Sequence, residues 1–205
     1  MHILTVVAHP RENSLTMDAT KQFINGLKKK GHTVEVLDLY REEFDPVMIE
    51  KDEPDWSRGD LHYSKRVMEE IDRLNQADGL AFVFPIWWYS IPAIMKGYID
   101  RVWQYNYAYG NHKLPHERIQ WIGLVGGSKE GFEKRSYDKL VKHYLNIGLS
   151  QFVGVDTSRV NLLYGTLEAS SEAEQKAYYT SWMNEAHQLG LEYDSFESEQ
   201  DKIDY

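Results

Sequence analysis

Certain short clusters in this sequence carry the residue types that chemistry needs. Pro85-Ile86-Trp87-Trp88-Tyr89-Ser90 sets two tryptophans and a tyrosine directly after an apolar run, and rings grouped in this way can stack on a planar aromatic ligand. His9-Pro10-Arg11-Glu12-Asn13-Ser14-Leu15-Thr16 places hydroxyls and backbone amides where a helix should begin, which is a cradle for phosphate. Val125-Gly126-Gly127-Ser128 offers backbone without side chains, so a flat ligand can approach it closely.

The elements around these clusters must bring them together. Gly79 to Phe84 is near-continuously apolar, the pattern of a parallel strand covered on both faces, and Pro85 stops it because proline lacks the ladder amide. Ser90 is then expected to cap a helix that tolerates Pro92 in its first turn and buries Ile91, Ile94, Met95, Tyr98, Ile99 and Val102. Upstream, a strand over residues 2–8 breaks at His9-Pro10, and a helix opens at Ser14, carries Leu15, Ala19, Phe23, Ile24 and Leu27 on one face, and ends at Gly31. A strand follows from Thr33 to Leu39, then an irregular acidic excursion from Tyr40 to Gly59, then a helix from Leu61 to Gln76. Beyond Trp103 the pattern predicts an aromatic loop to Glu117 and a strand Ile119 to Val125. A helix through Tyr137, Leu140, Val141, Tyr144 and Leu145 comes next, then a strand within 151–163 and a helix over 171–189. Strand and helix alternate five times, which predicts an α/β fold with a parallel sheet between helical layers. Among the allowed topologies, the flavodoxin-like order 2-1-3-4-5 makes the loops after the first and third strands meet at a switch point, the crevice where flavodoxin holds FMN.

Composition narrows the class. The chain has 205 residues, 42% of them hydrophobic, and no linker-like tract, so a single core is expected. Its net charge of -9 argues against nucleic acid and anionic membrane surfaces. The lack of cysteine excludes disulfides and thiol chemistry. No apolar run approaches the roughly 20 residues of a membrane span, and structure begins at His2 without a basic leader, so a cytoplasmic protein with no membrane insertion is expected.

Taken together, these motifs resemble the NAD(P)H:quinone oxidoreductase family of flavodoxin-like flavoproteins. The resemblance rests on His9-Pro10 with Asn13-Ser14, the loop Pro85 to Ala93, the helix Lys96 to Val102, Tyr107-Ala108-Tyr109-Gly110 and Gly126-Gly127. It implies a bound flavin, FMN or alternatively FAD, which passes a hydride from NAD(P)H to a quinone or similar aromatic acceptor by ping-pong kinetics. It also implies a homodimer that completes the site. Carried over by motif, His9, Ser14, Leu15 and Thr16 would hold the phosphate and ribityl chain. Pro85, Ile86, Trp87, Trp88 and Tyr89 would line the ring, and Gly126 and Gly127 its other edge. The sequence departs from the family after the glycine pair, where Ser128 to Glu133 offers neither the expected tyrosine nor the histidine, so no catalytic residue is assigned. Alternatives are a flavodoxin-type electron carrier and a regulatory accessory subunit of a potassium-efflux transporter.

Plainer roles stand beside these. His9-Pro10 is a common turn, Gly126-Gly127 a common connector, and Trp87 and Trp88 could serve core or interface. Tyr105, Tyr107 and Tyr109 are expected at a dimer surface. His62, His112 and His116 lack metal-ligand spacing and read as structural or solvated, so no metal is expected. Residues 1–189 are read as the flavin-binding domain. Residues 190–205 are read as an acidic tail, solvated or loosely docked, or else folded by its aromatics over a partner.

Overall fold

A computed structural model describes residues 1–54 and 63–198. Strands β1 (His2–Val7), β2 (Thr33–Asp38), β3 (Gly79–Pro85), β4 (Ile119–Leu124) and β5 (Ser158–Leu163) form one five-stranded sheet of order β2-β1-β3-β4-β5. All neighbouring strands pair in parallel, so the expected flavodoxin-like three-layer architecture is found. Helices α1 (Leu15–Lys29) and α6 (Glu172–Leu191) cover one face. Helices α2 (Lys65–Asn75), α3 (Ala93–Val102), the short α4 (Lys129–Glu133) and α5 (Tyr137–His143) belong to the connections on the other side.

The two faces of β3 explain its unbroken apolar sequence. Leu80, Phe82 and Phe84 join Ile71, Met95, Tyr98 and Trp121 in one core, while Ala81 and Val83 join Phe23, Leu27, Met183 and Ala186 in the other. Phe82 stacks on Trp121 with centroids 4.3 Å apart. The smaller side chains face α1 and α6, whose axes come close where Gly26 meets Gly190. A Cβ on Gly26 would lie 2.2 Å from the His187 carbonyl oxygen. Register sets the site: Val7 pairs with Val83 and Pro85 with Leu124, so the loops leaving β1, β3 and β4 emerge along one edge.

Several expectations change. Ser90 does not cap α3; Pro92 is the residue before it, and Ser90 instead exchanges backbone hydrogen bonds with Trp87, both 3.1 Å. The described part of the excursion after β2 is docked on the core. Phe44 packs edge-on to Tyr98 at 5.3 Å, and the Arg101 guanidinium donates to Asp52 at 2.6 Å, both side chains being buried. Leu61 and His62, the expected start of α2, lie outside the described residues, and α2 begins after Ser64. The helix expected through Leu145 gives way at Tyr144 to π-helical turns reaching Gln151. There the Ser150 hydroxyl donates to the Leu145 carbonyl five residues back and accepts from Trp121 Nε1, which fits the wider turn.

The expected tail is also corrected as far as residue 198. Helix α6 runs to Leu191, Tyr193 is fully buried, and Phe196 is 7% exposed. Tyr193 donates its hydroxyl to the carbonyls of Leu80 and Arg118, at 3.0 and 3.2 Å. Both acceptors lie at the amino ends of β3 and β4, opposite the edge that carries the three loops. The acids around these rings hid a pair of core aromatics, and neither ring lies near the loop edge.

Candidate active site

On the carboxyl edge of the sheet, a cleft of about 400 Å³ opens between the loop after β3 and the loop after β4. Ile86, Trp88 and Tyr89 form one wall, and Val125, Gly126 and Gly127 form the other. Trp88 and Tyr89 occupy the two central positions of a tight turn closed by Trp87 and Ser90, and both have left-handed backbones, with φ of 51° and 60°. Each such residue without glycine costs of order 1–3 kcal/mol. The turn holds Trp88 94% exposed at the rim and Tyr89 stacked on Tyr137 at 3.9 Å.

Gly127 is the informative glycine. Its backbone does not need the left-handed region, and an added Cβ would meet nothing within 4 Å. The space beside it is open cleft. Gly126 differs, since its Cβ would reach Leu167 at 3.0 Å. The turn after β5 backs this loop: the amides of Gly165, Thr166 and Leu167 donate to the carbonyls of Gly127, Val125 and Gly126. A flat ring laid against Gly127 would therefore meet a fixed backbone edge.

The other candidate residues sit one loop away. His9, Ser14, Leu15, Thr16, Pro85 and Trp87 are not among the cleft's lining. Pro85 ends β3 and is buried. Trp87 links the two regions, its ring 6.4 Å from that of His9. Ser14 caps α1 by accepting the Met17 amide at 3.3 Å, which leaves the amides of Ser14, Leu15 and Thr16 without a protein acceptor among the described residues. Free amides at the positive end of a 15-residue helix suit an anion. His9 Nδ1 lies 3.1 Å from both the amide nitrogen and the carbonyl oxygen of Arg11, which ties the ring to its own loop. Burial, then the charges of Arg11 and Arg41, hold His9 below its ordinary pKa of 6.5. Arg41 fixes the loop by donating to the carbonyls of His9 and Pro10, at 3.0 and 2.7 Å.

Sequence reasoning missed part of the site. Phe132, Arg135, Tyr137 and Glu168 also line the cleft. Phe132 and Tyr137 cluster with Tyr89, centroids 5.7 Å apart for Phe132 with either tyrosine. The Tyr137 hydroxyl beside it raises the Tyr89 pKa, followed by its charge and by burial, so Tyr89 keeps its proton at neutral pH. Signals for this wall exist in Ser128, whose hydroxyl caps the Gly131 amide of α4 at 3.2 Å, and in the Phe132 and Tyr137 spacing. Among the described residues no cluster could hold a metal, and His116 is buried with Nε2 2.9 Å from the Leu74 carbonyl oxygen. Tyr107 and Tyr109 pack on Tyr63 and Phe152 of their own chain.

A doubly wound α/β fold with rings, a bare backbone edge and an anion cradle on its carboxyl edge defines the flavodoxin-like class. A family profile described as flavodoxin-like fold, Flavodoxin_2, matches residues 1–185, and the chain belongs to this family. It is 39% identical over 188 residues to the Escherichia coli (strain K12) protein YcaK, named an uncharacterized NAD(P)H oxidoreductase, covering 91% of this chain and 95% of that one. Mouse ribosyldihydronicotinamide dehydrogenase [quinone] is 30% identical over 204 residues, covering 88% of each chain. The solved structure of an NAD(P)H:quinone oxidoreductase from Methanothermobacter marburgensis superposes with a TM-score of 0.85 at 28% identity, over 96% of this chain and 98% of that one. These relatives bear out the resemblance read from the motifs and the expectation of an oxidoreductase. Among the described residues no helix is long and apolar enough to cross a membrane.

Proposed function

We propose that this protein is a flavin-dependent NAD(P)H oxidoreductase that delivers a hydride to a quinone or similar aromatic acceptor, with donor and acceptor using one cleft in turn. The observation that carries the reading is the open face of Gly127 opposite Trp88 and Tyr89. A bound isoalloxazine supplies the hydride chemistry itself. The chain's own groups bind and orient. The amides of Ser14, Leu15 and Thr16 receive the flavin phosphate, with the His9 ring beside them in the same loop. FMN suits a cradle made of one helix terminus, with FAD the alternative. Pro85, Ile86 and Trp87 support the ring from the β3 side, Gly126 and Gly127 bound its other edge, and Trp88 and Tyr89 shield it from water. Tyr89 and Tyr137 stack side by side on the cleft wall where an acceptor would bind. The proposal includes a homodimer, in keeping with a tryptophan left 94% exposed at the cleft rim, and a cytoplasmic site of action.

The test is a visible spectrum of protein incubated with FMN or FAD and desalted, then mixed with NADH or NADPH without oxygen. Retained flavin that bleaches supports the reading, and bleached flavin reoxidised by menadione completes it. Protein that retains neither flavin refutes it. Light scattering should give twice the 24.0 kDa chain mass, and a monomer would remove the dimer.

A further inference from the structure

Arginines in this chain are mostly spoken for. Arg41 contacts Asp38, Arg66 and Arg73 share Glu42 and Glu70, Arg101 holds Asp52, and Arg159 holds Glu192. Arg118 donates to the carbonyls of Tyr193 and Phe196. Arg11 and Arg135 are the two whose guanidinium groups bond no protein acceptor among the described residues. Arg11 stands in the anion-cradle loop, and Arg135 lines the cleft.

The surroundings of Arg135 give this placement meaning. The residue after it, Ser136, has a left-handed backbone with φ of 56°, which turns the chain between α4 and α5. Arg135 lies exposed on the cleft wall just before that turn, and Tyr137 just after it stacks on Tyr89. Arg135 is near enough to act on the Tyr89 hydroxyl by its charge. The cleft's carboxylate, Glu168, is engaged by the Ser128 amide at 3.0 Å. Around it, residues 128–143 carry Lys129, Lys134, Arg135, Lys139 and Lys142 against Glu130, Glu133 and Asp138, a positive segment in a chain of net charge -9. A planar guanidinium with its donors free matches phosphate, sulfonate or carboxylate oxygens in a way a solvated lysine does not.

We propose that Arg135 is a specificity-determining residue that engages an anionic group of the substrate entering the cleft, either a phosphate of the dihydronicotinamide donor or an acidic substituent of the acceptor. This rests on the oxidoreductase reading above. The experiment compares flavin-loaded wild type, Arg135→Gln and Arg135→Lys. Donors are NADPH, NADH and dihydronicotinamide riboside, which has no phosphate; acceptors are menadione and a sulfonated naphthoquinone. Charge-assisted hydrogen bonds of this kind correspond to roughly 10- to 100-fold in affinity. Arg135→Gln should raise KM by about that factor for the phosphorylated donors or for the sulfonated acceptor, leave the riboside and menadione unchanged, and be partly rescued by Arg135→Lys. A donor-only effect assigns the phosphate, and an acceptor-only effect the acidic acceptor. Unchanged KM throughout, or equal changes for charged and neutral substrates, overturns the proposal. Calorimetric titration with 2′-phospho-ADP-ribose and with naphthoquinone sulfonate reads the same contact without turnover. If no donor is oxidised, the oxidoreductase reading fails; loss of neither affinity in Arg135→Gln then overturns the inference separately, and loss of either upholds the anion contact.

Discussion

Gly127→Ala separates folding from binding at the proposed site. The new methyl group meets no protein atom within 4 Å, and the backbone there is not left-handed. Replacing glycine by alanine at a compatible position stabilises by about 0.4–1 kcal/mol through the unfolded chain. For a chain of this size that raises Tm by roughly 1–4 °C. The bound state should move the other way. Carbon atoms in contact sit about 3.5–4.0 Å apart, and the methyl projects by about 1.5 Å, comparable to the Cα–C bond length, into the space a ring would occupy. The ring must shift or compress it, at a cost of about 1–3 kcal/mol as for other overpacked sites. At 1.4 kcal/mol per decade this weakens flavin binding roughly 5- to 150-fold. The assay pairs urea unfolding of the flavin-free protein with fluorescence titration of FMN. A variant as stable as expected that binds FMN with unchanged Kd would refute the placement of the ring against Gly127.

Other substitutions test the scaffold. Trp88→Gly removes an exposed ring and relieves a left-handed residue, so urea unfolding should show stability unchanged or raised by up to about 2 kcal/mol, whereas Trp121→Ala, in the core, should lose about 3–5 kcal/mol. Asp52→Asn leaves Arg101 buried without its carboxylate partner and should cost about 3–5 kcal/mol in the same assay. Burial pushes the Asp52 pKa up, but the Ser64 and Arg101 hydrogen bonds outweigh it and hold the value below 3.8. Its contribution is therefore present above the ordinary carboxylate pKa and fades as pH falls through the lower folded value. Stability of Asp52→Asn measured down that acid range should show a smaller loss than wild type. Tyr193→Ala should destabilise by about 3–5 kcal/mol despite its place in an acidic tail, and a value near zero would show that the tail is not core.

Strand and helix alternation and the carboxyl-edge loops were legible in the sequence because they follow from local periodicity, whereas the flavodoxin-like order was one choice among the few topologies that right-handed crossovers allow. The run Gly79 to Phe84 reads as a doubly covered strand, since residues pointing to either face must be apolar. Ile86, Trp88, Tyr89, Gly126 and Gly127 line the cleft because each follows a central strand and emerges at the edge where the register aligns. Tertiary structure decided what local preference opposes or cannot see. Trp88 and Tyr89 adopt a turn that usually asks for glycine, so Ser90 was misread as a cap. Phe132, Arg135, Tyr137 and Glu168 reach the cleft from α4, from the far side of the left-handed turn at Ser136 and from the loop after β5, which folds back on Gly126. Tyr193 and Phe196 lie among acids, and their burial depends on strand ends more than seventy residues away in sequence. Hydrophobic pattern is written residue by residue along the chain, whereas convergence of distant loops depends on contacts that exist only once the sheet is assembled.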